Sequence, residues 1–301
     1  MPIPPLPPID DVVAAALAED FGIPVGRLAG EDFALLARDV TSAAVVPDDA
    51  RFTGVIAARG DAVVCGLPVV ARVFELLAAA VGSPDDVEVL PLVAEGTRVV
   101  AGVPVMEVAG SARIVLAAER TALDFLMVLS GIASEANRWQ TEAGERLRVF
   151  DTRKTLPGLR ALSKYAVAVG GAHNHRAGLW DMVLVKDNHL AYAGGVSAAL
   201  ASARASAPGL RVEIEADTLE QALEAACAGA DIVMLDNFDD AALAAAVEAI
   251  RATGAPCEIE ASGGIRFERL RSLGATGVDI VSSSAIALAQ PADFGLDELS
   301  A

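Results

Sequence analysis

Apolar positions along this chain follow two rhythms, and the rhythm changes near residue 148. Before that point the elements are mixed. Val12 to Asp20 predicts a short amphipathic helix, Gly22 to Arg38 shows no period and predicts irregular backbone, and Arg51 to Ala58 reads as a strand. Asp61 to Leu77 predicts a strand, a turn at Gly66 and Pro68, then a helix. Val99 to Val108 alternates about Gly102 and Pro104, as a half-buried hairpin does. Ile114 to Ala136 places Val115, Ala118, Ala122, Phe125, Leu126 and Leu129 at helical spacing, with an interruption predicted at Ser130-Gly131.

From residue 148 onward a unit repeats: a short β-branched run ends on polar residues and gives way to an Ala-rich helical segment. The runs are Leu147 to Phe150, Met182 to Val185, Val212 to Ile214, Ile232 to Leu235, Glu258 to Glu260 and Ile280 to Val281. The last four polar switch points, Glu215, Asp236, Glu260 and Ser282, are 21, 24 and 22 residues apart. That spacing holds one strand and one helix per unit and predicts a parallel β/α barrel. In such a barrel the interior is packed with side chains, and the ligand site is built by loops at the carboxyl ends of the strands. The unusual polar residues fall at those ends: Asp151-Thr152-Arg153-Lys154, Lys186-Asp187-Asn188-His189, Glu215, Asp236-Asn237, Ser262-Gly263-Gly264 and Ser282-Ser283-Ser284.

Composition narrows the ligand. Hydrophobic residues make up 53% of the 301 residues and aromatics only 4%, so the core is built from small aliphatic side chains on many regular elements. A net charge of −18 argues against nucleic acid and against anionic lipid. Yet all three lysines (Lys154, Lys164, Lys186) and all three histidines (His173, His175, His189) lie between Val149 and Leu190. Six lysines and arginines outnumber three acids from Asp151 to Leu190. A locally positive pocket on an acidic chain suits a small polyanion held in a cleft.

Cys65, Cys227 and Cys257 are isolated thiols without C-x-x-C spacing, which indicates neither a disulfide framework nor a zinc knuckle and leads us to expect a cytoplasmic protein. No uncharged apolar run approaches the roughly 20 residues of a membrane span. The opening MPIPPLPPIDD, with five prolines in its first eight residues, reads as an extended arm rather than a signal peptide. The stretch EGTRVVAGVPVMEV is similar to the hairpin of lipoyl and biotinyl carriers, but that role needs a lysine and none precedes Lys154; a structural hairpin is the reading that remains.

Three groups of residues carry candidate chemistry. Ser262-Gly263-Gly264 and Ser283-Ser284 follow the last two strands, where backbone N–H groups of a small-residue turn cradle a phosphate. Glu215 and Asp236 end adjacent strands, placed either to hold a divalent ion or sugar hydroxyls or to balance Lys186 and Arg153. Arg153, Lys154, His175, Arg176 and Lys186 crowd one rim; such a cluster repels itself unless a ligand neutralises it. Arginine forks suit carboxylates and lysine acts as a point charge, so the pocket suits a ligand set with both carboxylate and phosphate.

The segments DTRKTLPGLRALSKYAVAVGGAHNHRAGL, WDMVLVKDNH, AERTALDFLMVLSGIAS, VEIEADTLEQA, IVMLDNF and EASGGI resemble the signature segments of the quinolinate phosphoribosyltransferases, the carboxylating nicotinate-nucleotide pyrophosphorylases, in family order from about Asp39 to about Ala285. The resemblance implies quinolinate and phosphoribosyl pyrophosphate as substrates, nicotinate mononucleotide, pyrophosphate and CO2 as products, Mg2+ and no organic cofactor. It also implies an α/β fold: a sandwich-like N-terminal domain, here residues 1–128 with 287–301 packing back on it, and an open seven-stranded parallel β/α barrel, residues 129–286. A homodimer with shared active sites is implied, with dimer and hexamer both open as the final assembly. By motif, Arg153, Lys154, His175 and Arg176 would grip the diacid, joined by Arg120 of AERTA from the partner subunit. Lys186 would neutralise the pyridine acid or the leaving pyrophosphate. Glu215 and Asp236 would hold ribose hydroxyls and Mg2+, directly or through water, and the Ser262 and Ser283 turns the 5′-phosphate. Family members have glycine where Ser284 stands and a Leu-Thr-His-Ser-like run where this chain reads Ile286-Ala287-Leu288-Ala289; Ile23 to Arg38 is also longer than usual, with a remodelled dimer edge as the expected result. The alternatives are a paralogous barrel associated with molybdate transport, which usually lacks the KDNH lysine and the HNHR pattern, and a non-catalytic phosphoribosyl-ligand sensor.

Overall fold

A computed structural model describes residues 3–29 and 34–299, and the chain falls into two units. The first comprises Met1–Glu135, Pro157–Gly170 and Ala289–Ala301. It opens with α1 (Asp10–Asp20) and, after two 3-10 turns at Val25–Ala29 and Leu35–Arg38, α2 (Val40–Val45). Four residues of the long Ile23 to Arg38 stretch, 30–33, lie outside the described ones. Next come β1 (Arg51–Ala58), β2 (Ala62–Val63), α3 (Leu67–Ala80), β3 (Val87–Pro91), β4 (Arg98–Val99) and β5 (Pro104–Ser111). An antiparallel sheet forms in the order last strand (Phe294–Glu298), β1, β5, β3.

Helix α3 shows how the unit is held. Gly66 takes a left-handed φ of 106° just before it, and the Glu95 carboxylate accepts the Gly66 and Leu67 N–H groups, satisfying two donors that open every helix. Val69, Val70, Val73, Phe74 and Leu77 form one buried face. Each such side chain contributes about 1.5–3 kcal/mol, against roughly 0–1 kcal/mol for an exposed ion pair such as Arg72–Glu75, so the apolar face decides the docking.

Two expectations fail here. Val99 to Val108 is not a hairpin: β4 pairs with β2, whereas β5 pairs with β1 and β3, because Gly102 turns the chain and donates to Ala58 O at 2.7 Å instead of closing a local ladder. And α4 (Ala112–Ala143) runs uninterrupted through Ser130-Gly131. Ser130 Oγ accepts the Cys65 N–H at 3.0 Å, and a Cβ on Gly131 would stand 2.2 Å from Gln290 O. Both residues are small for close approach, not for a break. Helix α5 (Arg160–Val169) completes the first unit, with Tyr165 donating to Glu95 at 2.9 Å.

The second unit, Ala136–Leu156 with Gly171–Leu288, carries β6 (Arg148–Phe150), β7 (Val183–Val185), β8 (Val212–Ala216), β9 (Ile232–Asp236), β10 (Glu258–Ser262) and β11 (Ile280–Ser282). All ladders are parallel, in the order β6-β11-β10-β9-β8-β7. A seventh position is filled by a single parallel bridge, Phe150 to His173. The first strand pairs with the last, and the opening lies between the His173 bridge and β7. This is the parallel β/α barrel the repeats predict, open as the resemblance implies, with the seventh strand reduced to one bridge. Val212 to Ala216 is buried throughout, as a strand covered on both faces must be.

Candidate functional site

Each strand end delivers its polar residues to one cavity of about 710 Å³, within the size range of small-molecule sites. Strand β6 stops at Phe150, which frees the following loop from strict alternation and lets Arg153 and Lys154 line the cavity together. The loop after the His173 bridge brings His175 and Arg176, β7 is followed by Lys186, β8 carries Glu215, and β9 ends on Asp236. On the far side stand Ser262, Gly263 and Gly264 after β10, and Ser283 and Ser284 after β11. Ser283 closes its turn by accepting the Ala285 N–H at 3.3 Å.

Charges in the cavity are coupled. Lys186 Nζ donates to Glu215 Oε2, so the charge-balancing contact considered for Glu215 is present. Burial, and then the Glu215 charge, push Asp236 above the usual carboxylate range. Burial, and then the Arg153 guanidinium, pull Arg176 below the usual arginine value. Arg153 Nε is buried with no acceptor among the described residues. Two like-charged guanidiniums and an unmatched donor favour an incoming anion.

The turns after β9 and β10 interlock. Asn237 is the one non-glycine residue with positive φ among those described, at 60°, and its N–H donates to Ser262 O at 3.1 Å. Gly263 has φ of +83°, and a Cβ there would lie 2.3 Å from Asn237 Oδ1. Only glycine meets both demands, and the turn presents its backbone to the cavity.

Sequence reading missed the layer beneath. Glu213 and Glu260 are wholly buried, and the His175 Nε2 atom lies 3.0 Å from Glu213 Oε2 and 3.7 Å from Glu260 Oε2. Burial pushes both carboxyl groups up to about 8. Asp151, also buried, accepts the His175 backbone N–H at 2.8 Å. A signal was available: strand side chains repeat every second residue, so a Glu215 that faces the mouth puts Glu213 inside, one layer down. The same period links Ser262 to Glu260 and to Glu258, which pairs with Arg148 and Arg211.

Two residues stand apart from the cavity lining. Arg120 is exposed on α4, pairs with Asp124 at 3.5 Å and lines a groove of the first unit with α1. His189 Nδ1 accepts the Lys186 N–H at 2.8 Å and so caps the helix α6 (Asp187–Ala193).

An open parallel β/α barrel with cations, paired carboxylates and glycine turns at its carboxyl end defines a class: barrel enzymes that take a phosphorylated, anionic substrate at the mouth. Comparison with known proteins narrows it. Residues 39–130 match the model for the N-terminal domain of quinolinate phosphoribosyl transferase, and residues 132–297 match that for its C-terminal domain. The chain is 42% identical over 230 residues to a probable nicotinate-nucleotide pyrophosphorylase (carboxylating) of Synechocystis, covering 76% of each. It is 39% identical to the nicotinate-nucleotide pyrophosphorylase (carboxylating) of Mycobacterium leprae, over 86% of this chain and 90% of that one. The crystal structure of NadC from Streptococcus pyogenes superposes with a TM-score of 0.83 at 38% identity over 97% of both chains. The chain belongs to the quinolinate phosphoribosyl transferase family.

Proposed function

We propose that the barrel mouth transfers a phosphoribosyl group from phosphoribosyl pyrophosphate to quinolinate and then releases CO2, giving nicotinate mononucleotide and pyrophosphate for NAD biosynthesis. One observation carries the assignment of roles: four permanent cations, two carboxylates and two small-residue turns line a single cavity. Arg153 and Arg176 hold the two carboxylates of quinolinate with Lys154 and Lys186, above a floor made by His175. The Ser262-Gly263-Gly264 and Ser283-Ser284 turns take the 5′-phosphate, and Glu215 and Asp236 hold the ribose hydroxyls.

The pyridine nitrogen attacks C1 of the ribose as the bond from C1 to pyrophosphate breaks. Lysine charges beside the leaving oxygens and carboxylates beside the oxocarbenium-like sugar stabilise the separating charges, by positioning and preorganised electrostatics. The ribosylated ring is a cation, so the carbon–carbon bond to the adjacent carboxylate breaks with its electron pair moving to the ring, and a proton replaces CO2. Glu215 and Asp236 are all-oxygen donors, and burial with the neighbouring Glu215 charge raises the Asp236 carboxyl, a repulsion that a hard divalent ion held there would relieve. Mg2+ supplies charge neutralisation on the pyrophosphate when bound, directly or through water.

The second subunit completes the site: Arg120 reaches the partner's diacid, which accounts for an arginine placed on an exposed helix face. The assembly is a homodimer, and three free cysteines, two of them buried, suit a reducing cytoplasm. Among the described residues no helix is long and apolar enough to cross a membrane. Incubation with quinolinate, phosphoribosyl pyrophosphate and Mg2+ yields nicotinate mononucleotide and CO2 in equal amounts; nicotinate accepted in place of quinolinate, with no CO2 formed, would reject the reading.

A further inference from the structure

Beneath the His175 floor of the cavity stand two carboxyl groups that the reaction as described does not use. His175, Glu213 and Glu260 each offer an atom within 4.8 Å of the others. Such a trio either ligates a cation or orients the imidazole, and the ring's own hydrogen bonding decides. A neutral imidazole has one donor and one acceptor nitrogen. Nδ1 of His175 accepts the Arg176 backbone N–H at 2.8 Å, so the ring proton belongs on Nε2, the nitrogen turned toward the two carboxylates. A protonated Nε2 has no lone pair for a metal and is a natural donor to a carboxylate. Glu213 Oε2 at 3.0 Å and Glu260 Oε2 at 3.7 Å are the oxygens that face it, while Ser282 Oγ pins Glu260 Oε1 at 2.5 Å.

We propose that Glu213 and Glu260 are positioning residues for the diacid subsite: they hold His175 in its Nε2–H form, which keeps Nδ1 on the Arg176 N–H and thereby fixes where the Arg176 guanidinium stands. This rests on the assignment of Arg176 to quinolinate above. The opposite tautomer would set an N–H against the Arg176 N–H and release that residue, whose backbone on the other side is anchored through Asp151 and the His175 N–H. A glutamine at either position still offers an acceptor; a leucine does not, and it spares the fold the desolvation of a buried polar group.

The experiment combines ring 15N NMR, with His175 assigned by the loss of its signals in His175→Asn, and steady-state kinetics. The wild-type ring is expected as Nε2–H with an unprotonated Nδ1. The Glu213→Leu/Glu260→Leu pair is expected to give mixed tautomers and to raise the KM for quinolinate about 10- to 100-fold, with the KM for phosphoribosyl pyrophosphate within about twofold of wild type. Glu213→Gln in the otherwise native chain recovers most of the loss. An Nδ1–H ring in the wild type overturns the proposal, as does an equal rise in both KM values with the tautomer unmoved, or a stoichiometric divalent ion that leaves with Glu213→Leu. The wild-type ring measurement needs no variant to fold. Should the enzyme turn over neither substrate, the reaction assignment fails while the tautomer still decides the inward role of the glutamates.

Discussion

Glu213 and Glu215 are one pleat apart on β8, yet they meet different chemistry. Glu215 opens to the mouth and receives Lys186; Glu213 faces the closed interior with Glu260. For Glu260 the consequence is measurable. Its folded carboxyl group titrates near 8 against an ordinary value of 4.5, with burial the first cause and Glu213 the second. Between those values the unfolded chain has released the proton and the folded chain retains it, so stability falls as pH rises through that window. Glu260→Gln should flatten the decline, read as the urea midpoint from about pH 5 to pH 8. Lys154 is different: its side chain is exposed, so Lys154→Ala should leave thermal unfolding almost unchanged and lower kcat by about a hundredfold to a thousandfold, as the loss of one preorganised charge does. A melting temperature that drops with activity would refer the loss to folding instead.

At the scale of elements, small residues account for where the sequence misled. Ser130-Gly131 looks like punctuation, but in α4 the pair makes room: the serine hydroxyl holds Cys65, and the glycine lies against the Gln290 carbonyl. Gly131→Ala, which would improve intrinsic helix propensity by about 1 kcal/mol, should instead destabilise the protein by about 1–3 kcal/mol through overpacking against backbone, measured by chemical denaturation. A gain in stability would show that the contact yields. The Val99 to Val108 alternation predicts a hairpin, whereas Val99 ends β4 and Pro104 begins β5 on different neighbours, since alternation reports which face is buried and not which strand is the neighbour. Barrel strands are more legible. Their β-branched runs and polar ends recur at near-constant spacing; the observed strands start one residue into the runs that begin at Leu147 and Met182, and the later ones extend one or two residues past theirs, to Ala216 and Ser262.

At the scale of the whole molecule, the proposed sharing of each mouth between two subunits has a direct test. Mixing Arg120→Ala chains with Lys186→Ala chains should restore activity, because a two-fold dimer of one of each contains one mouth with both residues intact. With random exchange the ceiling is roughly a quarter of the wild-type rate. Neither variant recovering on mixing, while light scattering reports hybrid dimers, would remove Arg120 from the reaction.

Taken by itself, the sequence determined the repeating strand–helix units, the side of the barrel on which chemistry collects, and the charge of the ligand, because these follow from period, chain direction and residue type. The signature segments added the reaction. Tertiary structure alone decided the partners: that Lys186 meets Glu215, that Asn237 adopts positive φ against Gly263, and that His175 turns inward to two buried glutamates. Such contacts join residues about 25 to 85 positions apart, and no local pattern encodes which side chains of neighbouring strands finally meet. Burial then sets the charge state of Glu213 and Glu260, a property of their surroundings rather than of the residues.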